Sequence, residues 1–225
     1  MNINQLRPAS QLAQQFGVKA VCYGPPGSSK TPLCNTAPRP VMLVCEPGML
    51  TMRTSKVPCW EGYTPAKIDE FFEWITKSSE AKAYDTVCVD SVSQLAEIKL
   101  TDELGKWKDG RKAYGEMSRA VMKILNDLYY LPAKHTYLIA KEGSFEIDGT
   151  HTVKPYFPGQ DLNVKVPHMY DEVWRIGLTN VPGFPKPVIA VRTVATFGIF
   201  ARDRSGRLNE LEEPDLSKLF NKCTS

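Results

Sequence analysis

A glycine-rich segment has the residue types and spacing of a phosphate-binding loop. Residues 24–31 are Gly-Pro-Pro-Gly-Ser-Ser-Lys-Thr, and they match the pattern G-x-x-x-x-G-K-[ST] at Gly24, Lys30 and Thr31. In such a loop the backbone N–H groups point at phosphate oxygens, the lysine reaches the outer phosphates, and the hydroxyl binds Mg²⁺. The segment therefore predicts a site for ATP and Mg²⁺, the alternative being a loop that only resembles the motif. The predicted binding residues are Gly24, Pro25, Pro26, Gly27, Ser28, Ser29, Lys30 and Thr31.

Two residues depart from the usual pattern of this loop. Ser29 occupies the position of the second glycine, and its Cβ adds bulk where the backbone passes the phosphates. Pro32 follows Thr31 and has no N–H to donate to a phosphate, although proline is tolerated in a first helical turn. We therefore expect weakened nucleotide affinity and slow turnover.

A carboxylate at the end of a β-type run is the expected partner of the loop. The run Thr86-Val-Cys-Val-Asp90 resembles a Walker B strand, and Ser91 begins a predicted helix. Because parallel strands end at one edge of a sheet, Asp90 would share Mg²⁺ with Thr31. The alternative role for Asp90 is that of a helix N-cap.

Two further charged residues follow predicted strands at the same edge. Glu46 closes the apolar run 41–46, where it could orient or deprotonate an attacking water. The alternative for Glu46 is an exposed loop acid. Lys141, followed by Glu142, comes after the run 136–140 and is placed to sense a terminal phosphate.

Short apolar runs alternate with longer amphipathic segments, which is typical of an α/β fold. Predicted strands cover 18–23, 41–46, 86–90 and 136–140, and predicted helices cover 65–78, 91–104 and 117–131. The near-continuous apolar strands indicate a mostly parallel central sheet flanked by helices.

The sequence changes in character after residue 140. It predicts a hairpin that turns at Asp148-Gly149, a Pro-rich stretch 155–167, strands over 172–178, 188–194 and 196–201, and a short helix in 213–221. The simplest organisation is one domain over 1–225, with an N-terminal extension 1–16 and a C-terminal tail 207–225.

The segment 105–114 combines cations with aromatic rings. Cations neutralise phosphates, and aromatic rings stack on unpaired bases. Gly105 and Gly110 predict a flexible loop here, so we expect the segment to bind single-stranded DNA. A solvated basic loop with its tryptophan against the core is the alternative. The predicted DNA-binding residues are Lys106, Trp107, Lys108, Arg111 and Lys112, and the hairpin 143–153 gives a fainter second candidate.

The order of these motifs resembles that of RecA-like P-loop ATPases. In addition, Ala-Arg-Asp-Arg-Ser-Gly at 201–206 is similar to the Lys-x-Arg-x-Gly element of RadA-type recombinases and hexameric replicative helicases. With its small size, the chain most resembles the core-only RecA-like ATPases that bacteriophages encode as single-strand annealing proteins.

That resemblance implies a RecA-like fold and a homo-oligomer, either ring or filament, with ATP at subunit interfaces and DNA along a shared axis. It also implies that Arg202 and Arg204 act on the terminal phosphate bound by a neighbouring subunit. A basic turn between strand and tail is the alternative for this pair.

Composition excludes several other classes. The 225 residues are 42% hydrophobic and 24% charged, which excludes disordered, collagen-like and membrane-spanning proteins. No signal-peptide core is present, so we expect a cytoplasmic protein, in the host cytoplasm if it is phage-encoded, with no membrane partner. The net charge of +3 is too small to indicate a polyanionic partner by itself.

We therefore expect a DNA-dependent ATPase that promotes annealing or recombination, with single-stranded DNA and a single-strand-binding protein as partners. Three alternatives remain open: a nucleotide-gated DNA-binding module with negligible turnover, a helicase-loading or DNA-packaging motor, and a small-molecule kinase. The kinase would need a lid, and no Arg-rich lid segment is present in the sequence.

Overall fold

Ten strands form one sheet at the centre of the computed structural model, which describes residues 6–147 and 149–225. The strands are β1 (Lys19–Gly24), β2 (Pro40–Val44), β3 (Cys59–Glu61), β4 (Thr86–Asp90), β5 (His135–Ile147), β6 (Thr150–Tyr156), β7 (Glu172–Thr179), β8 (Val188–Arg192), β9 (Arg202–Asp203) and β10 (Leu211–Glu212). The helices are α1 (Ala9–Ala13), α2 (Pro65–Lys77), α3 (Val92–Lys106), α4 (Gly110–Tyr129), α5 (Asp161–Met169) and α6 (Leu216–Thr224). Short 3₁₀ helices cover Pro32–Thr36, Leu50–Met52 and Glu80–Ala83.

The strand order along the sheet is β10-β8-β7-β1-β5-β4-β2-β3, with β6 beside β5 and β9 beside β7. The strands from β7 to β3 along this order are parallel, whereas β6, β8, β9 and β10 pair antiparallel. The expected fold class, a mostly parallel RecA-like sheet with antiparallel strands added late in the chain, is confirmed. β1, β5 and β4 are adjacent and parallel, so their carboxyl ends meet at one edge of the sheet.

Each face of the sheet is covered by its own apolar cluster. Val21 and Tyr23 of β1 pack on the side of α2, α3 and α4, and Ala20 and Cys22 pack on the side of α6. Such alternation follows from the two-residue period of a strand.

Helices α4 and α6 cover opposite faces of the sheet. α4 buries Met117, Val121, Leu125 and Leu128, which recur at helical spacing. α6, in the segment predicted as a tail, buries Leu216, Leu219 and Phe220 against the sheet.

The segment 105–114 is helical over most of its length, which corrects the prediction of a flexible loop. α3 continues to Lys106 and α4 begins at Gly110, so only residues 107–109 connect them. The Asp109 side chain caps α4 by accepting from the Arg111 backbone N–H at 2.9 Å. Capping and tertiary packing therefore outweigh the two glycines here.

Other predicted boundaries also differ from the structure. The run 196–201 is a tight turn, because Thr196 and Ile199 bond each other's backbone and Gly198 has a φ of +73°. α5 begins inside the Pro-rich stretch and ends two residues beyond it, and β3 is a strand that the sequence did not predict. β2 ends at Val44, two residues before Glu46. The predicted hairpin forms from β5 and β6, but Asp148 in its turn lies outside the described residues.

Among the described residues, no helix has both the length and the apolar character that crossing a bilayer requires.

Candidate functional site

The loop after β1 folds back over its own lysine. Lys30 Nζ donates to the carbonyl oxygens of Gly24 at 2.7 Å and Pro25 at 2.8 Å, and to Ser28 Oγ at 3.2 Å. The hydroxyl of the buried Tyr137 on β5 donates to the Lys30 carbonyl at 3.1 Å, which fixes the loop to the sheet. Burial lowers the pKa of Lys30, and the nearby Cys22, Asp90, Glu142 and Glu46 oppose that shift.

Two positions of this loop have positive φ angles. Gly27 has a φ of +77°, and Ser29, at the place of the motif's second glycine, has a φ of +68°. Within the described chain, the backbone N–H groups of Gly27, Ser29, Lys30 and Thr31 donate to no backbone acceptor. The loop thus presents a set of unpaired donors of the kind that binds an anion.

Gly24 allows β1 and β7 to approach closely. A Cβ at position 24 would lie 2.1 Å from the Ile176 carbonyl oxygen, a distance that no side chain tolerates. The first glycine of the motif is therefore required by the packing of two strands.

Thr31 and Asp90 meet across the edge of the sheet. Thr31 Oγ1 donates to Asp90 Oδ2 at 2.6 Å. Burial raises the pKa of Asp90, the Thr31 hydroxyl and the charge of Lys30 lower it, and Glu46 adds to the rise. A hydroxyl and a carboxylate side by side are hard oxygen donors of the type that Mg²⁺ prefers.

These side chains line one pocket of about 570 Å³. Its volume lies within the range of small-molecule sites. The structure thereby brings together most of the residues predicted at this edge. Those that line the pocket include Gly24, Lys30, Thr31, Glu46, Asp90 and Lys141.

Glu46 and Lys141 reach the pocket in different ways. Glu46 is half-buried and follows the end of β2 by two residues. Lys141 lies in β5 in register with Gly24, and its Nζ donates to Gln94 Oε1 at 2.8 Å and to Glu97 Oε2 at 2.9 Å on α3. The ammonium is thus bound to α3 in this structure.

Arg175 is a residue that sequence analysis missed. It lies on β7 and donates from Nε to Glu142 Oε2 at 2.8 Å, and Glu142 lines the pocket. The available signal was an arginine inside the apolar run 173–176. The sequence did not indicate that Glu142 is its partner, because the two residues become neighbours only when β1 pairs with both β5 and β7.

The predicted DNA-binding residues lie together where α3 joins α4. Lys106 is bound to Asp102 at 2.6 Å and Glu103 at 2.7 Å, and Lys112 Nζ lies 3.2 Å from the centre of the Trp107 ring. Lys108 and Arg111 are exposed, and no ion pair within the described chain involves them. The segment therefore has fewer available cations than its composition indicates.

Arg202 and Arg204 lie near the amino end of β7, away from the phosphate loop of the same chain. Arg202 pairs with Val173 and donates to the Tyr170 carbonyl. Arg204 binds Asp171 Oδ1 at 2.8 Å and the His168 carbonyl at 3.0 Å. Any contact of these arginines with a bound nucleotide would have to come from another copy of the chain.

Comparison with protein families matches residues 17–205 to a family described as an AAA domain. The match covers the phosphate loop, Asp90, Lys141 and both arginines. The chain belongs to this AAA domain family. Together with the sheet order, the membership identifies the AAA domain as a P-loop ATPase of RecA-like fold.

Two solved structures are similar to this AAA domain. It is similar to a KaiC-like protein from Pyrococcus horikoshii, with 14% identity over 79% of each chain and a TM-score of 0.46. It is also similar to the flagellar accessory protein FlaH from Methanocaldococcus jannaschii, with 11% identity over 79% of this chain and 78% of that one and a TM-score of 0.42. No curated protein matches the sequence.

Proposed function

We propose that the pocket at the carboxyl edge binds ATP with Mg²⁺ and hydrolyses it, and that the nucleotide controls binding of single-stranded DNA. The contact of Thr31 with Asp90 at 2.6 Å, beside Lys30, supports the proposal most directly. It joins the end of the phosphate loop to the end of β4, two segments separated by 59 residues.

The residues present fit the magnesium ion. Thr31 Oγ1 and Asp90 Oδ2 would hold it, and both are oxygen donors at the wall of the pocket. When bound, Mg²⁺ supplies positive charge that offsets charge on the phosphate oxygens.

Lys30 would exchange neutral acceptors for charged ones when a nucleotide binds. Its three N–H groups now bind two carbonyl oxygens and one hydroxyl. An anionic phosphate oxygen adds the attraction of opposite charges, which a carbonyl oxygen or a hydroxyl lacks, so phosphate oxygens would compete well for the ammonium. The unpaired N–H groups of the loop would bind phosphate beside it, and Glu46 would orient the attacking water.

The DNA part of the proposal rests on the α3–α4 junction. Lys108 and Arg111 would bind phosphates, and Trp107 would stack on an unpaired base. A homo-oligomer, with Arg202 and Arg204 facing the nucleotide of the next subunit, would align these junctions along one strand and promote annealing or recombination. A single-strand-binding protein would compete for the same DNA.

The test uses the purified full-length chain. Binding of a non-hydrolysable ATP analogue with Mg²⁺ is measured by calorimetry, and phosphate release and annealing of complementary oligonucleotides are measured with and without single-stranded DNA. We expect Lys30→Ala and Asp90→Asn to weaken nucleotide binding at least about tenfold, since each removes a charged contact. Lys218→Ala, in an exposed ion pair on α6, is the control. A wild-type chain that binds no nucleotide would refute the proposal.

A second function, a nucleotide-gated DNA-binding module with negligible turnover, is favoured by one observation. Ser29 holds a left-handed backbone conformation in the loop that must fit around the phosphates. Single-turnover hydrolysis distinguishes the two functions, because the module would bind ATP and DNA together but release no phosphate above background.

A further inference from the structure

An ion pair that the sequence did not reveal forms part of the wall of the pocket. Arg175 Nε donates to Glu142 Oε2 at 2.8 Å, and Arg175 Nη2 lies 3.5 Å from Glu142 Oε1. The side chains are only 21% and 17% exposed. Glu142 is among the residues that line the pocket, and Arg175 contacts the pocket through Glu142.

The sheet register explains how the two residues meet. Tyr23 of β1 is in register with Ala140 of β5 on one side and with Arg175 of β7 on the other. Glu142 follows Ala140 by two residues and so lies on the same face of β5. The pair therefore spans β1 at the start of the phosphate loop.

The strand between the two partners carries a buried tyrosine. The Tyr23 hydroxyl lies 2.9 Å from the Val153 carbonyl oxygen and 2.5 Å from that of Phe200. Tyr23 is fully buried, and its hydroxyl links β1 to β6 and to the segment before β9.

The charge of the pocket makes this pair unusual. The ionisable lining residues include Lys30 and Lys141, but also the three carboxylates of Glu46, Asp90 and Glu142. Arg175 offsets the charge of Glu142, so this third carboxylate can lie near a triphosphate, and a half-buried ion pair by itself is weak evidence for a stabilising role. An oriented carboxylate beside the phosphates is suited to positioning water.

We propose that Glu142 is a second carboxylate that positions and deprotonates the attacking water, and that Arg175 is the residue that positions Glu142. This inference rests on the ATPase function proposed above. As the water oxygen bonds to the terminal phosphorus, a water proton passes to Glu142. The bond from that phosphorus to the bridging oxygen breaks, and its electron pair leaves with ADP. The proton then passes from Glu142 to solvent.

The experiment compares kcat and KM for ATP in matched variants of the full-length chain. Glu142→Gln keeps the shape and an acceptor for Arg175 but cannot take a proton, so we expect kcat to fall about 10- to 100-fold with little change in KM. Arg175→Gln should lower kcat to a similar degree, and Arg175→Lys should restore part of it. The double variant should be no slower than the slower single variant, because both act through one carboxylate.

Glu210→Gln is the matched control. Glu210 binds Arg192 at 2.5 Å on the neighbouring strand β8, and Arg192 is in register with Arg175. We expect this variant to keep the wild-type kcat. Thermal unfolding of each variant is measured in parallel, so that a loss of folded protein is not counted as a loss of rate.

The outcomes separate this inference from the proposed function. If the wild-type chain hydrolyses ATP and Glu142→Gln is equally fast, the inference is overturned and the ATPase function stands. If Arg175→Gln lowers the unfolding temperature but not kcat per folded molecule, the pair has only a structural role. A wild-type chain without any hydrolysis overturns both. If Arg175→Gln does not fold, Glu142→Gln alone decides.

Discussion

Ser29 has a backbone conformation that the phosphate-loop motif normally assigns to glycine. Its φ of +68° lies in the left-handed region, where an L side chain costs roughly 1–2 kcal/mol. The sequence identified this position from spacing alone, because the motif is local and each residue has a fixed place in it. The structure adds that the serine is accommodated by keeping the glycine conformation.

Replacement of Ser29 by glycine should therefore stabilise the folded chain and strengthen ATP binding by the loop. We expect Ser29→Gly to raise the free energy of unfolding by about 0.5–1 kcal/mol after the greater chain entropy of glycine is subtracted, and to tighten ATP binding. Urea unfolding and a titration with an ATP analogue measure the two effects. Gly27→Ala, at a φ of +77° with open space around the Cβ, should destabilise by a similar amount. If Ser29→Gly bound the ATP analogue no more tightly than the parent chain, the expected effect on the loop would be contradicted.

The ion pair of Glu142 with Arg175 could not be predicted from local patterns in the sequence. Asp90 could be predicted because a β-type run ending in Asp is visible in five residues. Arg175 follows Glu142 by 33 residues, and only the placement of β1 between β5 and β7 makes them neighbours. A long-range register of this kind leaves no local pattern.

The junction of α3 and α4 is an element that the sequence predicted in composition but not in conformation. Gly105 and Gly110 favoured a loop, yet ion pairs of Lys106 within α3 and the Asp109 cap of α4 extend both helices. The parallel strands β1, β2 and β4 and the helices α2 and α3 were predicted to within two residues at each end, because their apolar patterns are strong. The junction was not, because caps and ion pairs decide it.

This conformation predicts unequal contributions from the basic residues to DNA binding. We expect Lys108→Ala combined with Arg111→Ala to reduce the slope of log affinity against log salt by about 1.4 for single strands, or about 0.7 per cation. Lys106→Ala should change the slope less, since Asp102 and Glu103 already neutralise its charge. Fluorescence anisotropy with a labelled oligonucleotide over a salt series measures the slope. If Lys106→Ala alone changed the salt slope by half as much as the double variant, this distinction would be contradicted.

The start of β5 gives the stability of the chain a defined dependence on pH. His135 Nδ1 accepts from the Val18 N–H at 3.0 Å, and its ring stacks on Phe220 of α6 with 4.4 Å between centres. Burial, with a smaller contribution from Lys19, lowers the pKa of His135 to about 4. Between that value and the ordinary value of 6.5 the unfolded chain binds more protons than the folded chain. Stability from this group is therefore lost as pH falls from 6.5 towards 4.

We expect His135 to account for a loss of roughly 1–2 kcal/mol over that range, after solvent screening of a partly exposed ring. Urea unfolding at several pH values, compared with that of His135→Gln, measures it, and the variant should show a shallower acid slope. Glu172 acts in the opposite direction, because burial raises its pKa to about 7 and its contribution is lost as pH rises from 4.5 to 7. Since Glu172 is common to both proteins, the difference in slope isolates His135. Parallel slopes would contradict the assignment.

In the molecule as a whole, the predicted catalytic cations lie at opposite ends of the parallel strands. Lys30 and Lys141 are at the carboxyl ends, and Arg202 and Arg204 are at the amino end of β7. Lys30 lies at the carboxyl end of β1, and Arg204 lies beside Asp171 and His168, before the amino end of β7. Copies stacked head to tail would bring the arginine of one to the pocket of the next, and such a contact generates a ring or a filament. The similarity of residues 201–206 to the Lys-x-Arg-x-Gly element implied this arrangement, which composition and periodicity alone do not indicate.

Mixing two inactive variants tests that arrangement. We expect Lys30→Ala and Arg204→Ala each to be inactive alone, and an equal mixture to recover roughly a quarter of the wild-type rate, since about one interface in four would combine two intact halves. Phosphate release after co-assembly measures the recovery, with Glu210→Gln mixed with Lys30→Ala as the reference for subunit dilution. A mixture as inert as its components would exclude a shared site.

The close approach of β1 and β7 at Gly24 affects how any mutational survey of the phosphate loop should be interpreted. Even a methyl group at this position would collide with the Ile176 carbonyl and force the two strands apart. An alanine there would displace Arg175 and its neighbours on β7 while leaving every phosphate-contacting group chemically intact. A dead Gly24 variant would thus report a failure of architecture, and ranking loop positions by lost activity would credit this glycine with a ligand contact that belongs to the residues after it.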